Sequence, residues 1–324
     1  GQKEGEGPYG KFFDEILNDD KAGCECWEEA EGKLQEMAAN KALSKSGLEK
    51  KDIRYIVAGD LLGQLMASSF GLMKLEIPMF GIYGACSTMG ESISIASMLV
   101  DGGYADNILA ITSSHFASAE KQFRFPLGYG SQRKMASTWT VTGSGAVIIS
   151  SEKMAQKANM SDKNKVHITG ITTGKIVDFG VKDSMNMGAC MAPAAGNVIV
   201  QNLIDNGRKP EWYDKIITGD LGLVGKDILL DITRSKGYDI ADRYMDCGIE
   251  IYSREQEIQA GGSGCGCSAS MLAGYIVKML EKGTWQRVLF VPTGALLSPV
   301  SFNEGDSVPG IAHAVVFECS GESQ

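Results

Sequence analysis

The chain has 324 residues, of which 44% are hydrophobic, and it carries a formal net charge of −9 with a pI near 5.0. Such a chain can bury a sizeable core, whereas its acidic balance argues against sequence-independent binding to nucleic acid or anionic lipid. Because the sequence shows no signal-peptide pattern and no uninterrupted apolar run of about 18 residues, we expect a soluble protein without a transmembrane segment.

The eight cysteines of the chain lack the regular spacing of a disulfide framework. We therefore interpret them as reduced intracellular thiols. Two cysteine pairs have C-x-C spacing, but zinc sites usually use C-x-x-C spacing and histidine, and the chain contains only three histidines. We expect no metal site and no cofactor.

The first half of the chain alternates helices and strands. Apolar residues at helical spacing predict a helix over residues 25–45. The elements predicted after it are a strand ending at Gly59-Asp60, a strand at Ile77–Tyr83, a helix from Cys86, a strand at Ile108–Thr112 and a strand in TGSGAVIIS from Thr142.

The second half repeats this order. The aligned pairs are LSKSGLEKKDIRYIVAGDL with LIDNGRKPEWYDKIITGDL, Cys86-Ser87 with Cys267-Ser268, and TGSGAVIIS with PGIAHAVVF. Because the matches are collinear, they indicate an internal duplication. We predict an α/β fold of two duplicated βαβαββ-type halves, residues 1–158 and 159–324, packed about a pseudo-two-fold axis.

One predicted strand, Val166–Thr172, opens the second half without a counterpart in the first half. We expect that the missing counterpart precedes Gly1 in the full-length protein.

The stretch GIYGACSTMGES, residues 81–92, places Cys86 between a strand and a helix. The free N–H groups of a first helical turn carry partial positive charge. They favour a thiolate, as a nucleophile requires, and they favour a bound carboxylate equally well. The motif is therefore compatible with an enzyme and with an anion-binding protein.

The duplication and this cysteine turn resemble the thiolase superfamily. The stretches AGDLL, FGIYGACSTMGES, TVTGSGAVIIS, MAPAAGN, AGGSGCGCSAS and IAHAVVFE resemble more closely the stage V sporulation protein AD family of spore-forming bacteria. The resemblance implies a thiolase-like fold that binds dipicolinic acid, pyridine-2,6-dicarboxylate, alone or as its calcium chelate, for uptake into the developing spore.

The same resemblance implies several properties of the assembly. It implies a homodimer with Ile77–Tyr83 near the interface, and membrane proteins of the same sporulation operon as partners. It also implies a location in the forespore or spore, peripheral at the spore inner membrane, and a link to germination.

The residues that superfamily enzymes use for acyl transfer are altered here. Asp220 stands where a synthase has its histidine, and Cys265 and Cys267 stand where a synthase has asparagine or a thiolase has histidine. An aspartate beside Cys86 would raise the pKa of the thiol instead of accepting its proton. We therefore expect a binding protein without catalytic residues.

A flat aromatic dianion needs cationic or N–H donors for its carboxylates and an apolar wall for its ring. The expected ligand-binding residues are Cys86, Ser87, Thr88, His115, Arg124, Arg133, Asp220, Cys265 and Cys267. His115 follows the strand Ile108–Thr112, so it shares a sheet edge with Cys86; it is equally compatible with a hydrogen bond to loop backbone. Met185 and Met187 are candidates for the mouth of the pocket.

Two other functions stay open. An active thiolase-like or ketoacyl-synthase-like acyltransferase would use Cys86 with His115. An interaction scaffold for the sporulation membrane complex would contain an empty pocket.

Overall fold

The computed structural model describes residues 1–123, 133–157 and 165–319. The strands are β1 (Tyr55–Gly59), β2 (Met79–Gly81), β3 (Asn107–Ser114), β4 (Trp139–Thr140), β5 (Gly143–Ser150), β6 (Val166–Thr173), β7 (Lys215–Thr218), β8 (Tyr244–Asp246), β9 (Gly262–Ser263), β10 (Arg287–Val291), β11 (Thr293–Ala295) and β12 (Gly310–Cys319).

The α-helices are α1 (Gln2–Gly5), α2 (Trp27–Ser46), α3 (Met66–Leu72), α4 (Thr88–Asp101), α5 (Phe116–Phe123), α6 (Glu152–Lys157), α7 (Met187–Asp205), α8 (Gly222–Ser235), α9 (Cys247–Glu250), α10 (Cys265–Met271), α11 (Val277–Glu281) and α12 (Pro299–Asn303). A π-helical turn, Leu272–Ile276, joins α10 to α11.

The two main sheets have the same strand order. The first sheet runs β2-β1-β3-β5, and the second runs β8-β7-β10-β12 with β11 and β6 also on β12. In each sheet the first three strands are parallel and the fourth is antiparallel. The duplicated α/β order that the internal repeat predicts is confirmed.

Strand β6 pairs with β12 and has no counterpart in the first sheet among the described strands. The predicted boundary at residue 158 lies outside the described residues, so the division into halves there stays a prediction.

The strand predicted at Ile77–Tyr83 is shorter than expected. Only Met79–Gly81 pairs with β1, and all three residues are exposed. Pro78 has no backbone N–H for a sheet ladder, and the residues after Gly81 turn towards Cys86. The apolar run predicted as a strand over Ile77–Tyr83 therefore forms only a short edge strand.

Two helices form the central layer between the sheets. Met89 and Ile93 of α4 pack in one buried cluster with Val57 of the first sheet and with Phe290 and Val315 of the second. Helix α10 packs on β5 and β3 of the first sheet. Helices α2 and α3 cover the outer face of the first sheet, and α7 and α8 cover that of the second. The arrangement is five-layered, α-β-α-β-α.

Within the described part of the chain, α7 is the one helix long and apolar enough to cross a membrane. However, 67% of its apolar window is buried, and Met191, Ala195 and Ile199 lie in the core cluster of the second sheet. Helix α7 is therefore buried as a core helix is, which agrees with the absence of a predicted membrane-spanning segment.

The contact of α10 with β5 depends on Gly145, and substitution there tests the layered packing. A Cβ atom at Gly145 would lie 2.1 Å from the backbone oxygen of Ala269, whereas one at Gly170 of β6 would lie 3.4 Å from a Val316 methyl group. We expect Gly145→Ala to lower the free energy of unfolding by about 1–3 kcal/mol, because backbone must move.

Urea unfolding measures this effect, and Gly170→Ala is the matched control because it adds the same methyl group to a strand. Equal stability of the two variants would contradict the packing described for α10.

Candidate functional site

Cys86 lies in a tight turn that leads into α4. Ala85, directly before it, has a φ of +51°, which is uncommon for a residue with a side chain. The backbone N–H and the hydroxyl of Ser87 both donate to the Gly84 oxygen, at 3.0 and 2.7 Å. Thr88 Oγ1 accepts the N–H of Gly84 at 3.1 Å. Ser87 and Thr88 therefore build the turn, and neither lines the cavity beside it.

A narrow cavity of about 30 Å³ lies at Cys86. Its lining residues are Leu61, Tyr83, Ala85, Cys86, Ala119, Glu120, Phe123, Thr140, Met187, Ser263, Gly264, Ala295 and Leu297. Most of the wall is apolar, and hydroxyl groups come from Tyr83, Thr140 and Ser263. The space is about that of one water molecule, so an aromatic ligand requires the wall to move.

Asp220 is the charged group that most affects the Cys86 thiol. Burial, and then the negative charge of Asp220, raise the pKa of Cys86 well above its ordinary value. Burial also raises the pKa of the Asp220 carboxyl to about 7. Asp220 Oδ1 accepts a hydrogen bond from Thr293 Oγ1 at 2.7 Å. The thiol therefore keeps its proton at neutral pH, since its acidic neighbour disfavours a second negative charge.

The backbone N–H of Gly264 partly offsets the effect of burial on Cys86 and Asp220. Its hydrogen bonding lowers the pKa of both groups, but burial is the larger effect, so both pKa values stay raised. Gly264 has a φ of +102°, a conformation that favours glycine. The loop that presents this N–H depends on that glycine.

Cys265 and Cys267 begin α10 and are both fully buried. The Cys265 thiol donates to the backbone oxygen of Ser113 at 2.9 Å, and the Cys267 thiol donates to the backbone oxygen of Gly219 at 3.3 Å. Burial raises the pKa of both thiols well above the ordinary value. Cys265 packs in the small apolar cluster that contains Cys86, but neither residue lines the cavity.

His115 does not belong to the cavity wall. Its Nε2 lies 2.7 Å from the backbone oxygen of Asp20, and its Nδ1 accepts the backbone N–H of Ala117 at 3.2 Å. Nε2 is thus the protonated nitrogen, and burial lowers the pKa of the ring. Both ring nitrogens therefore bond to backbone groups, as in the interpretation in which His115 hydrogen-bonds to loop backbone and not to a ligand. The structure does not bring His115 to Cys86.

Arg133 lies behind the cavity wall. It is 4% exposed, pairs with Glu120 Oε1 at 3.4 Å and donates to the Thr138 oxygen. Its guanidinium lies 5.1 Å from the Trp139 ring centroid. Arg133 therefore positions Glu120 and does not reach the cavity itself. Arg124, the other predicted carboxylate partner, lies outside the described residues.

Glu120 is the charged lining residue that the sequence does not predict. It lines the cavity and accepts a hydrogen bond from Thr140 Oγ1 at 2.9 Å. Its place five residues after His115, in a helix that follows the sheet edge, is the signal that could have identified it. Met187 does line the cavity, as predicted, whereas no cationic side chain of the described residues does.

Residues 1–123, 133–157 and 165–319 contain no group of three or more His, Cys, Asp or Glu side chains placed to hold a metal ion.

Residues 1–318 match the family model of stage V sporulation protein AD. The stage V sporulation protein AD of Bacillus subtilis is 45% identical over 321 residues, which cover 99% of this chain and 92% of that protein.

Solved structures with the same fold include condensing enzymes. The cerulenin-bound OleA of Xanthomonas campestris has a TM-score of 0.58 at 13% identity, covering 88% of this chain and 81% of that one. The 3-oxoacyl-[acyl-carrier-protein] synthase III of Aquifex aeolicus has a TM-score of 0.53 at 15% identity, covering 88% and 83%. At such low identity these likenesses establish the thiolase-like fold and not the activity.

Asp220→Asn tests the buried carboxyl. An ordinary aspartate has a pKa near 3.8, and burial in the folded protein raises the pKa of Asp220 to about 7. Unfolding therefore releases a proton between these values, and stability should fall as the pH rises through them, by up to about 4 kcal/mol. The amide cannot ionise, so the variant should lose less stability over this range.

Urea unfolding at pH 4.5 and pH 7.5 measures the difference. Asp227→Asn, on the exposed surface of α8, should follow the wild type. Parallel pH profiles of Asp220→Asn and the wild type would exclude a strongly raised pKa at Asp220.

Proposed function

Because the chain belongs to the stage V sporulation protein AD family, we propose that it binds dipicolinic acid in the cavity at Cys86 and does not catalyse acyl transfer. It acts in the developing spore, peripheral to the inner membrane, with membrane proteins of the same operon as partners. One observation carries the non-catalytic assignment: Cys86 has a buried acid, Asp220, as its neighbour instead of an imidazole.

Acyl transfer through Cys86 would require a thiolate and a group that accepts its proton. Burial raises the pKa of Asp220 to about 7, but a carboxyl that had accepted the thiol proton would be neutral and, unlike an imidazolium, could not stabilise the buried thiolate. His115 donates to Asp20 and accepts from Ala117, so its ring has no nitrogen left for the thiol. Neither Asp220 nor His115 thus supplies both a proton acceptor and a positive charge for a nucleophilic sulfur.

The lining of the cavity supports an aromatic acid as the ligand. Leu61, Phe123 and Leu297 offer an apolar surface to a pyridine ring, and Tyr83 and Ser263 offer hydroxyl groups to carboxylates. Phe123 and Met187 are only partly buried, so their side chains can move to admit the ring.

The charge of the lining favours the calcium chelate over the free dianion. Among the described lining residues Glu120 is acidic and none is cationic. A free dianion would therefore lack a counter-charge there, unless Arg124 supplies one. In the chelate the bound ion already neutralises the carboxylates, so less charge enters the cavity.

Calorimetric titration with dipicolinate, with and without calcium, tests the function. We expect saturable binding that calcium strengthens, and Phe123→Ala should weaken it about tenfold because the ring loses its aromatic wall. Phe179→Ala, at a side chain that is 69% exposed, is the matched control. Arg124→Ala tests the cation that the sequence predicts.

Two outcomes would contradict the proposal. A flat isotherm under both conditions excludes dipicolinate binding and favours the interaction scaffold. Mass spectrometry after incubation with acyl-coenzyme A addresses the acyltransferase: an acyl adduct on Cys86 that turns over makes the protein an enzyme.

We also propose a homodimer formed through the edge of the first sheet. Strand β2 pairs only with β1 among the described strands, and its other edge is unpaired. Met79, Phe80 and Tyr83 are 37%, 48% and 45% exposed, and the nearby Phe70 and Met73 are 65% and 64% exposed. An exposed apolar edge strand of this kind is suited to pairing with a second copy.

Phe80→Lys should convert the dimer to a monomer, because it places a charge in an apolar interface. Light scattering coupled to size-exclusion chromatography measures the mass. Phe179→Lys carries the same substitution at an exposed site elsewhere and should remain dimeric. A monomeric wild type, or a dimeric Phe80→Lys variant, would show that β2 is not the interface.

A further inference from the structure

A second, larger depression lies at the opposite end of the first sheet from Cys86. This groove, of about 670 Å³, is bounded by residues 50–54, 76–78, 100, 103–106, 151 and 153. The parallel strands β1, β2 and β3 begin here, whereas the turn of Cys86 follows the carboxyl end of β2. Small-molecule sites typically measure roughly 300–1,000 Å³, so the groove is large enough for a ligand of its own.

Basic side chains converge on this groove in a chain that is acidic overall. Its cations are Lys50, Lys51, Arg54 and Lys153, and its acids are Asp52, Glu76 and Asp106. The groove is therefore locally more positive than the net charge of −9 would suggest.

Two of the acids are already engaged. The Asp52 carboxylate accepts the backbone N–H of Glu49 at 2.9 Å, and Asp106 accepts the hydroxyl of Ser151 at 3.0 Å. Of the cations, Lys51 pairs with Glu49 at 2.7 Å. Arg54 and Lys153 form no ion pair with any residue in the described ranges.

Aromatic packing holds Arg54 in place at the start of β1. Its guanidinium lies 4.7 Å from the Tyr55 ring centroid, and that ring lies 5.5 Å from the ring of Phe80. Stacking orders the planar guanidinium while it leaves the N–H groups free for a second partner. An ordered arginine without an ion pair is well suited to bind an anion.

The groove also has an apolar wall. Tyr104 is 70% exposed and follows Gly103, whose φ of +75° makes the turn between α4 and β3. Ile77, Pro78 and Val100 complete this wall. An exposed aromatic ring beside unpaired cations combines a stacking surface with charge recognition.

We propose that this groove binds a small organic dianion that carries an aromatic ring. Arg54 and Lys153 bind its negative charge, and Tyr104 packs on its ring. Dipicolinate and a nucleoside monophosphate both combine an aromatic ring with two negative charges, and titration with each of them separates the two sources.

Calorimetric titration of the full chain with adenosine monophosphate and with dipicolinate tests the proposal. At least one probe should bind, and Arg54→Ala, Lys153→Ala and Tyr104→Ala should each weaken its binding about tenfold. Arg234→Ala, at an exposed arginine on α8, is the matched control and should bind like the wild type. The variants lie on the surface, so folding should be preserved.

The result distinguishes this groove from the cavity at Cys86. Weaker binding of either probe to the groove variants than to the wild type supports the proposal and identifies the ligand. The groove proposal is wrong if dipicolinate binding depends on Phe123 but not on Arg54 and adenosine monophosphate does not bind. That result leaves the proposed function at Cys86 unaffected. Absence of binding by both probes overturns the groove as well.

Discussion

The close packing of α4 and α10 between the two sheets is the constraint on which the site depends. Gly145 and Gly266 allow this approach, because a Cβ atom at either would lie 2.1–2.4 Å from a backbone oxygen of the facing element. The packing brings the start of α10 beside the turn of Cys86, so residues far apart in the chain share one buried site. The low solvent exposure of that site then decides its chemistry.

Burial explains why a fold shared with condensing enzymes need not support their reaction. In such a site each ionisable group prefers its neutral form. Burial raises the pKa of the Cys86 thiol and that of the Asp220 carboxyl, and it lowers the pKa of His115. Beside the buried acid Asp220, the neutral thiol is the stable state of Cys86.

The two ends of the first sheet differ in character. The carboxyl end holds a narrow, largely apolar cavity with Glu120 as its charged lining residue. The amino end holds an open groove that contains Arg54 and Lys153, which form no ion pair within the described ranges. This difference follows from topology: the loops after the parallel strands are covered by the second half, whereas the loops before them face solvent.

The sequence by itself determined the repeated order of helices and strands, the helix at Trp27–Ser46 and the turn at Cys86, because periodicity and glycine positions are local properties. Its resemblance to the thiolase superfamily also predicted that Asp220 stands where a synthase has its histidine. Only the tertiary structure decided the partners: His115 bonds to Asp20, which lies 95 residues away, and Arg133 is buried against Glu120. Such contacts depend on how distant segments pack, and no local pattern encodes that packing.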